Sequence, residues 1–136
     1  MKHVNHLSKY LLFLLLLTGL TTTVQAQTPD AVFEQIAGAI SKGDAAAVAT
    51  HFNTTVEVTL PGADQSYSAQ QATFVLKEFF TKNAVKGYKV VHKGSSGATW
   101  YATGVYTAAT GNFDSNIFVK KIGEKYLITQ LRFEGE

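Results

Sequence analysis

The sequence predicts an α+β domain with its helices first and its strands last. Up to Phe80 the apolar residues recur mostly at helical spacing, interrupted by one short alternating run. From Gly87 onward the chain consists of period-two runs rich in Val, Ile, Thr and aromatics, broken by glycine-containing turns. Nothing after Ala26 reads as a linker, repeat or low-complexity segment, so these elements are expected to share one core.

Thr28 and Pro29 open the first helix as N-cap and first helical residue, and Val32, Phe33, Ile36, Ala37 and Ile40 fall on one face. Gly43 is its stop, and Asp44 caps a short second helix, Ala45 to Phe52. Thr55 to Leu60 alternates Val56, Val58 and Leu60 against Thr55, Glu57 and Thr59, the pattern of a half-buried strand that Pro61-Gly62 ends. Ser68-Ala69-Gln70-Gln71 is a capping box for a third helix that buries Ala72, Val75, Leu76, Phe79 and Phe80. Four strands follow, Gly87–Lys93, Thr99–Ala108, Phe113–Ile122 and Lys125–Glu134. The short turns Gly94 to Gly97, Thr110-Gly111-Asn112 and Gly123-Glu124 make them an antiparallel meander.

Residues 1–26 read as a cleavable secretory signal. Lys2, His3, His6 and Lys9 form a basic start, an apolar run follows from Tyr10, and Val24-Gln25-Ala26 fits the small-residue cleavage rule. The apolar core is roughly half the 20 or so residues needed to span a bilayer. Residues 27–136 are thus expected as a single soluble domain, secreted or periplasmic, with no membrane attachment. Of the 12 Lys and Arg, Lys2 and Lys9 leave with the signal, so the remainder balances the 10 Asp and Glu. A near-neutral domain without a basic stripe is not built for nucleic acid. With 0 Cys there is neither disulfide nor thiolate chemistry. His51 and His92, at no ligand spacing, predict no metal, and nothing in the chain predicts a cofactor.

Hairpin arithmetic groups side chains by sheet face. With two-residue turns at Thr110-Gly111 and Gly123-Glu124, Tyr106, Ser115 and Arg132 form one row. Gly104, Ile117 and Gln130 form the next, then Ala102, Val119 and Ile128, then Trp100, Lys121 and Tyr126. This face is expected to meet the helices, its small Ala102 and Gly104 leaving room for a cavity. Trp100, Tyr106, Ser115, Gln130 and Arg132 are the candidate ligand-binding residues, with Arg132 meeting an anionic or strongly hydrogen-bonding group, set against its ordinary role of pairing with Glu134 or a helix carboxylate at the rim. A one-residue bulge would send half of them to the other face. Glu57 and His92 are the candidate acid–base groups, set against their ordinary roles as a solvated strand carboxylate and a structural strand histidine. His51, at the end of the second helix, suits a cation at a helix C-terminus.

The order of elements resembles the cystatin-like cone of the nuclear transport factor 2-like superfamily. His51-Phe52-Asn53, Leu76-Lys77-Glu78-Phe79-Phe80, His92-Lys93-Gly94, Tyr101-Ala102-Thr103-Gly104 and Lys125-Tyr126-Leu127-Ile128 together resemble domain of unknown function 4783, a family of small exported bacterial proteins. The resemblance covers nearly all of residues 30–134 and implies the fold and an envelope location, but no activity. That fold houses enzymes that place an Asp base opposite a Tyr and a protonated Asp. Here Asp114, the one Asp on a predicted meander strand, shares the outer face with Asn116 and Phe118, so no such constellation forms. The expectation is a non-catalytic envelope binding module, with a small amphipathic ligand in the cone or a protein partner on the sheet. The alternatives are a small isomerase, dehydratase or hydrolase, and a structural homodimer paired through the sheet.

Overall fold

The structure, a computed structural model, describes Thr23 and residues 26–136. The signal expected over residues 1–26 lies outside the described residues apart from Thr23 and Ala26. Helix α1, Pro29–Ser41, starts as its sequence dictates: the Thr28 hydroxyl accepts from the Ala31 amide at 3.2 Å, and Pro29 needs no donor there. It buries Val32, Phe33, Ile36, Ala39 and Ile40, so Ala39 takes the place expected of Ala37. Gly43, at φ 63°, turns the chain in the left-handed region, and Asp44 caps α2, Ala45–Ala49, accepting from the Ala47 amide at 3.0 Å.

Helix α2 is shorter than its alanine content predicts. Phe52 does not extend it but opens β1, Phe52–Leu60, because the Ile128 amide donates to the His51 carbonyl at 2.6 Å and Phe52 pairs with Ile128. A tertiary strand pairing overrides local helix preference here. Pro61-Gly62 does not merely end β1. Leu60 pairs with Ala63 across it, and the chain returns as an unpredicted strand β2, Ala63–Ser68. The β2 strand is easy to miss, since Ala63 and Tyr67 are half-buried and its other residues are exposed. Helix α3, Ala69–Lys82, has the expected capping box, with Gln71 N donating to Ser68 Oγ at 3.2 Å and Ser68 N donating to Gln71 Oε1 at 3.3 Å.

Strands β3 (Val85–Ser96), β4 (Thr99–Ala108), β5 (Gly111–Ile122) and β6 (Lys125–Gly135) form the expected meander. The sheet is larger and mixed: six strands in the order β2-β1-β6-β5-β4-β3, with β1 parallel to β6. The helices bury their apolar stripes against one face. At its centre Phe79 of α3 meets Tyr106, Phe113 and Phe133 at ring separations of 5.4, 5.1 and 5.0 Å, within the range of favourable aromatic pairs.

Two register differences relocate the candidate residues. The β4–β5 turn is Ala109-Thr110, so Ala108 pairs with Gly111 and Tyr106 stands opposite Phe113 instead of Ser115. That shift of two residues leaves each side chain on its face. Between β5 and β6 the predicted register holds from Ile122↔Lys125 to Val119↔Ile128, and then Phe118 pairs with Gln130, leaving Thr129 as a bulge. The bulge keeps Leu131 and Phe133 in the core and turns Gln130 and Arg132 to the face away from the helices. The expected inward row of Tyr106, Ser115 and Arg132 therefore does not exist.

Candidate functional site

The inner face carries Trp100, Tyr106 and Ser115, and each is committed within the fold. Trp100 packs edge-on against Tyr126 at 5.1 Å, and the Tyr106 phenol donates to the Asn83 carbonyl at the end of α3 at 2.5 Å. Buried Ser115 shares a 2.8 Å hydrogen bond with the Tyr88 hydroxyl. The Tyr88 phenol reaches Ser115 over Gly104, where a Cβ would come within 3.0 Å of its oxygen. The space that Gly104 was expected to leave for a cavity is thus filled from the neighbouring strand. Among the described residues, no buried side-chain nitrogen or oxygen lacks a partner. Burial pushes the Tyr106 phenol up to about 12. It raises Tyr88 as well, against the opposing effect of the Ser115 hydrogen bond. Burial shifts the His51 imidazole down, the direction opposite to that expected of a cation at a helix C-terminus.

The outer face is built differently. Alternation along β1 sends Thr55, Glu57 and Thr59 outward while Val56, Val58 and Leu60 enter the core. The β6 bulge brings Gln130 and Arg132 beside them, and pairing then aligns two rows across all six strands. One runs Ser66, Glu57, Gln130, Phe118, Tyr101, Gly94. The other runs Asp64, Thr59, Arg132, Asn116, Thr103, His92. Half-buried Tyr101 lies across Gly94, where a Cβ would come within 2.5 Å of its ring, and its own ring centre is 6.3 Å from that of Phe118. His92 is exposed at the far side, 5.9 Å from the Tyr101 ring.

Where these rows cross β2, β1, β6 and β5, the face is indented. A cleft of about 400 Å³ is bounded by Glu57, Ser66, Phe118, Lys120, Thr129 and Gln130. A second hollow of about 260 Å³ adjoins it through Glu57, Ser66 and Gln130 and extends to Asp64 and Arg132. The Gln130 carbonyl, turned to match donor to acceptor, accepts from Arg132 Nε at 2.8 Å and Nη2 at 3.0 Å. Asp64 accepts from the Thr59 hydroxyl at 3.0 Å. Among the described residues the one ion pair is Lys93 with Asp30, at 3.3 Å on the opposite side of the sheet. Glu57, Lys120 and Arg132 are therefore not neutralised by direct contact with one another. A different hollow, about 680 Å³, lies over α3 around Phe74, which is 63% exposed.

Of the five ligand-binding candidates, the structure gathers Gln130 and Arg132 at the outer cleft and leaves Trp100, Tyr106 and Ser115 inside. Sequence reasoning weighed Glu57 only as an acid–base group and missed Ser66, Phe118, Lys120 and Thr129. One signal was present: Tyr126, Ile128, Leu131 and Phe133 break strict alternation between 128 and 131, which marks a bulge. Among the described residues, no group of three or more His, Cys, Asp or Glu could hold a metal ion, and no helix is long and apolar enough to cross a membrane.

Helices packed on one face of a mixed six-stranded sheet, in this order, define a nuclear transport factor 2-like α+β fold. A nuclear transport factor 2-like protein of unknown function from Cytophaga hutchinsonii superposes with a TM-score of 0.61 at 10% identity, over 83% of this chain and 94% of that one. The chain belongs to the family described as domain of unknown function DUF4783, whose model matches residues 33–134. A DUF4783 protein from Bacteroides ovatus is 28% identical with a TM-score of 0.73, covering 82% of this chain and 98% of its own. Another from Bacteroides fragilis is 29% identical with a TM-score of 0.71, covering 75% and 96%. No curated protein matches the chain.

Proposed function

We propose that this domain is an exported, non-catalytic binding module of the cell envelope, and that it receives its ligand on the open face of the sheet. One observation carries the reading: two full rows of mostly polar side chains surround a cleft whose charged groups are not paired with one another. The helix side is unsuited to the role. Its aromatic rings pack on each other, and its buried polar atoms already have partners. A binding site needs placed polar groups with bonding capacity to spare to orient its ligand, and the open face supplies them.

The enzyme reading draws less support. Burial shifts His51, Tyr88 and Tyr106, and none of these borders the cleft. The test is to add the small-molecule fraction of the host's envelope to 15N-labelled protein and map the amide shifts. Changes concentrated on Glu57, Phe118, Lys120 and Gln130 are expected. Changes confined to the Phe74 hollow, changes confined to the aromatic core, or no changes at all would each defeat the proposal. So would a dimer in sedimentation whose interface covers this face.

A further inference from the structure

We infer that the outer cleft takes a neutral, polyhydroxylated ligand, a mono- or disaccharide unit seated on Phe118; this rests on the open face being the binding surface. Charge is the first argument. The cleft and its adjoining hollow hold two carboxylates, Glu57 and Asp64, and two cations, Lys120 and Arg132. An anion drawn to Lys120 and Arg132 would be repelled by Glu57 and Asp64, and a cation the reverse, so the cleft offers neither sign a net attraction. A neutral ligand with many hydroxyls meets no such repulsion.

Hydrogen-bonding chemistry is the second. A sugar hydroxyl both donates and accepts, so it needs partners of both kinds at short intervals. The carboxylate of Glu57 only accepts, the ammonium of Lys120 only donates, and the hydroxyls of Ser66 and Thr129 do either. Gln130 has its carbonyl occupied by Arg132 and can offer its two amide hydrogens. These groups sit on neighbouring strands about 5 Å apart, a spacing that lets one ring touch several of them.

The third argument is the floor. Phe118 is half-buried on a face otherwise dominated by polar groups, and Tyr101, folded over Gly94, braces it from the next strand. A pyranose has one face of C–H bonds, weakly positive, which suits the negative face of an aromatic ring. The volume of about 400 Å³ is at the small end for ligand sites and the cleft is open, which suits one or two units of a longer glycan.

The test titrates labelled protein with chitotriose, maltotriose, cellotriose and mannotriose, with glucose 6-phosphate as the anionic control. At least one neutral sugar is expected to saturate with a Kd near or below about 1 mM, a modest affinity in keeping with an open site, shifting the amides of Glu57, Phe118 and Gln130. Phe118→Ala is expected to weaken that binding about tenfold, since an aromatic contact contributes roughly this much. Glu57→Gln, a change at an exposed position that the fold tolerates, is expected to weaken it severalfold. The inference is overturned if none of the four sugars binds below about 10 mM, if glucose 6-phosphate binds and they do not, or if their shifts centre on Phe74. Should the envelope fraction perturb this face while no sugar does, the ligand class falls and the binding face stands.

Discussion

Glu57 on β1 stands beside Gln130 on β6 across the parallel pair of strands, and both border the outer cleft. The Thr129 bulge makes that neighbourhood. Without the extra residue Gln130 would point at the helices and Glu57 would face a different side chain. The same bulge places Arg132 next to Thr59 and Asn116 on the open face.

Arg132→Ala is expected to change stability by less than about 1 kcal/mol, since the side chain is half-buried on the open face and bonded to a neutral amide. A buried internal ion pair would instead lose about 3–5 kcal/mol. Urea unfolding of the two proteins separates the cases, and a loss in the higher range would contradict the register of β6.

Two glycine replacements should act with opposite signs. A Cβ at Gly104 would lie 2.5 Å from the Lys89 carbonyl oxygen and 3.2 Å from Ser115 Oγ, so backbone must shift. Gly104→Ala is expected to cost about 1–3 kcal/mol, as overpacking does. Gly38 lies in α1 with nothing within 4 Å of an added Cβ. Gly38→Ala should therefore stabilise by about 0.5–1 kcal/mol through helix propensity. Denaturant midpoints measured side by side decide the signs.

Tyr106 couples β4 to α3, and its titration should be visible in alkaline unfolding. The folded protein keeps this phenol protonated up to about 12, against an ordinary value of 10.0. Above pH 10 the unfolded chain loses the proton first, so the stabilisation is complete below pH 10 and is lost as pH rises towards 12. The phenol therefore contributes a falling limb to stability between pH 10 and pH 12. Tyr106→Phe is expected to lower stability at pH 8 by about 1–3 kcal/mol through the stranded Asn83 carbonyl, while removing this share of the alkaline slope. Equal slopes in the two proteins would refute the assignment.

His51 should give the mirror-image effect in acid. Burial lowers its pKa from 6.5, so below pH 6.5 the unfolded chain takes up the proton before the folded one does. Its contribution is present above pH 6.5 and declines as pH falls through the lower folded value. His51→Gln is expected to flatten the stability profile between pH 7 and pH 5. A variant with an unchanged acid slope would show that burial does not govern this imidazole.

Periodicity and capping chemistry, both local, made much of this fold legible. Thr28, Asp44 and the Ser68–Gln71 box act where their side chains predict, and glycine-containing turns signal the meander from β3 to β6, although the first turn lies at Gly97-Ala98 and the second at Ala109-Thr110. The β2 strand escaped because its residues are largely solvated and leave little apolar pattern to read. Ala102 and Gly104 suggested open space, but Tyr88 from the neighbouring strand fills it at Gly104, and Gly94, expected in a turn, lies within β3 under the Tyr101 ring. Only three-dimensional pairing shows which ring lies over which glycine.

By itself the sequence determined the α+β class, the order of the main helices and meander strands, and the apolar residues of α3, because hydrophobic spacing and caps act within a few residues of one another. Tertiary structure decided the site. Strand period is two, so the single extra residue at Thr129 reverses every side chain beyond it. Whether Leu131 and Phe133, or Gln130 and Arg132, enter the core depends on burying apolar groups against α3 and β1 together, a balance that neither β5 nor β6 holds alone.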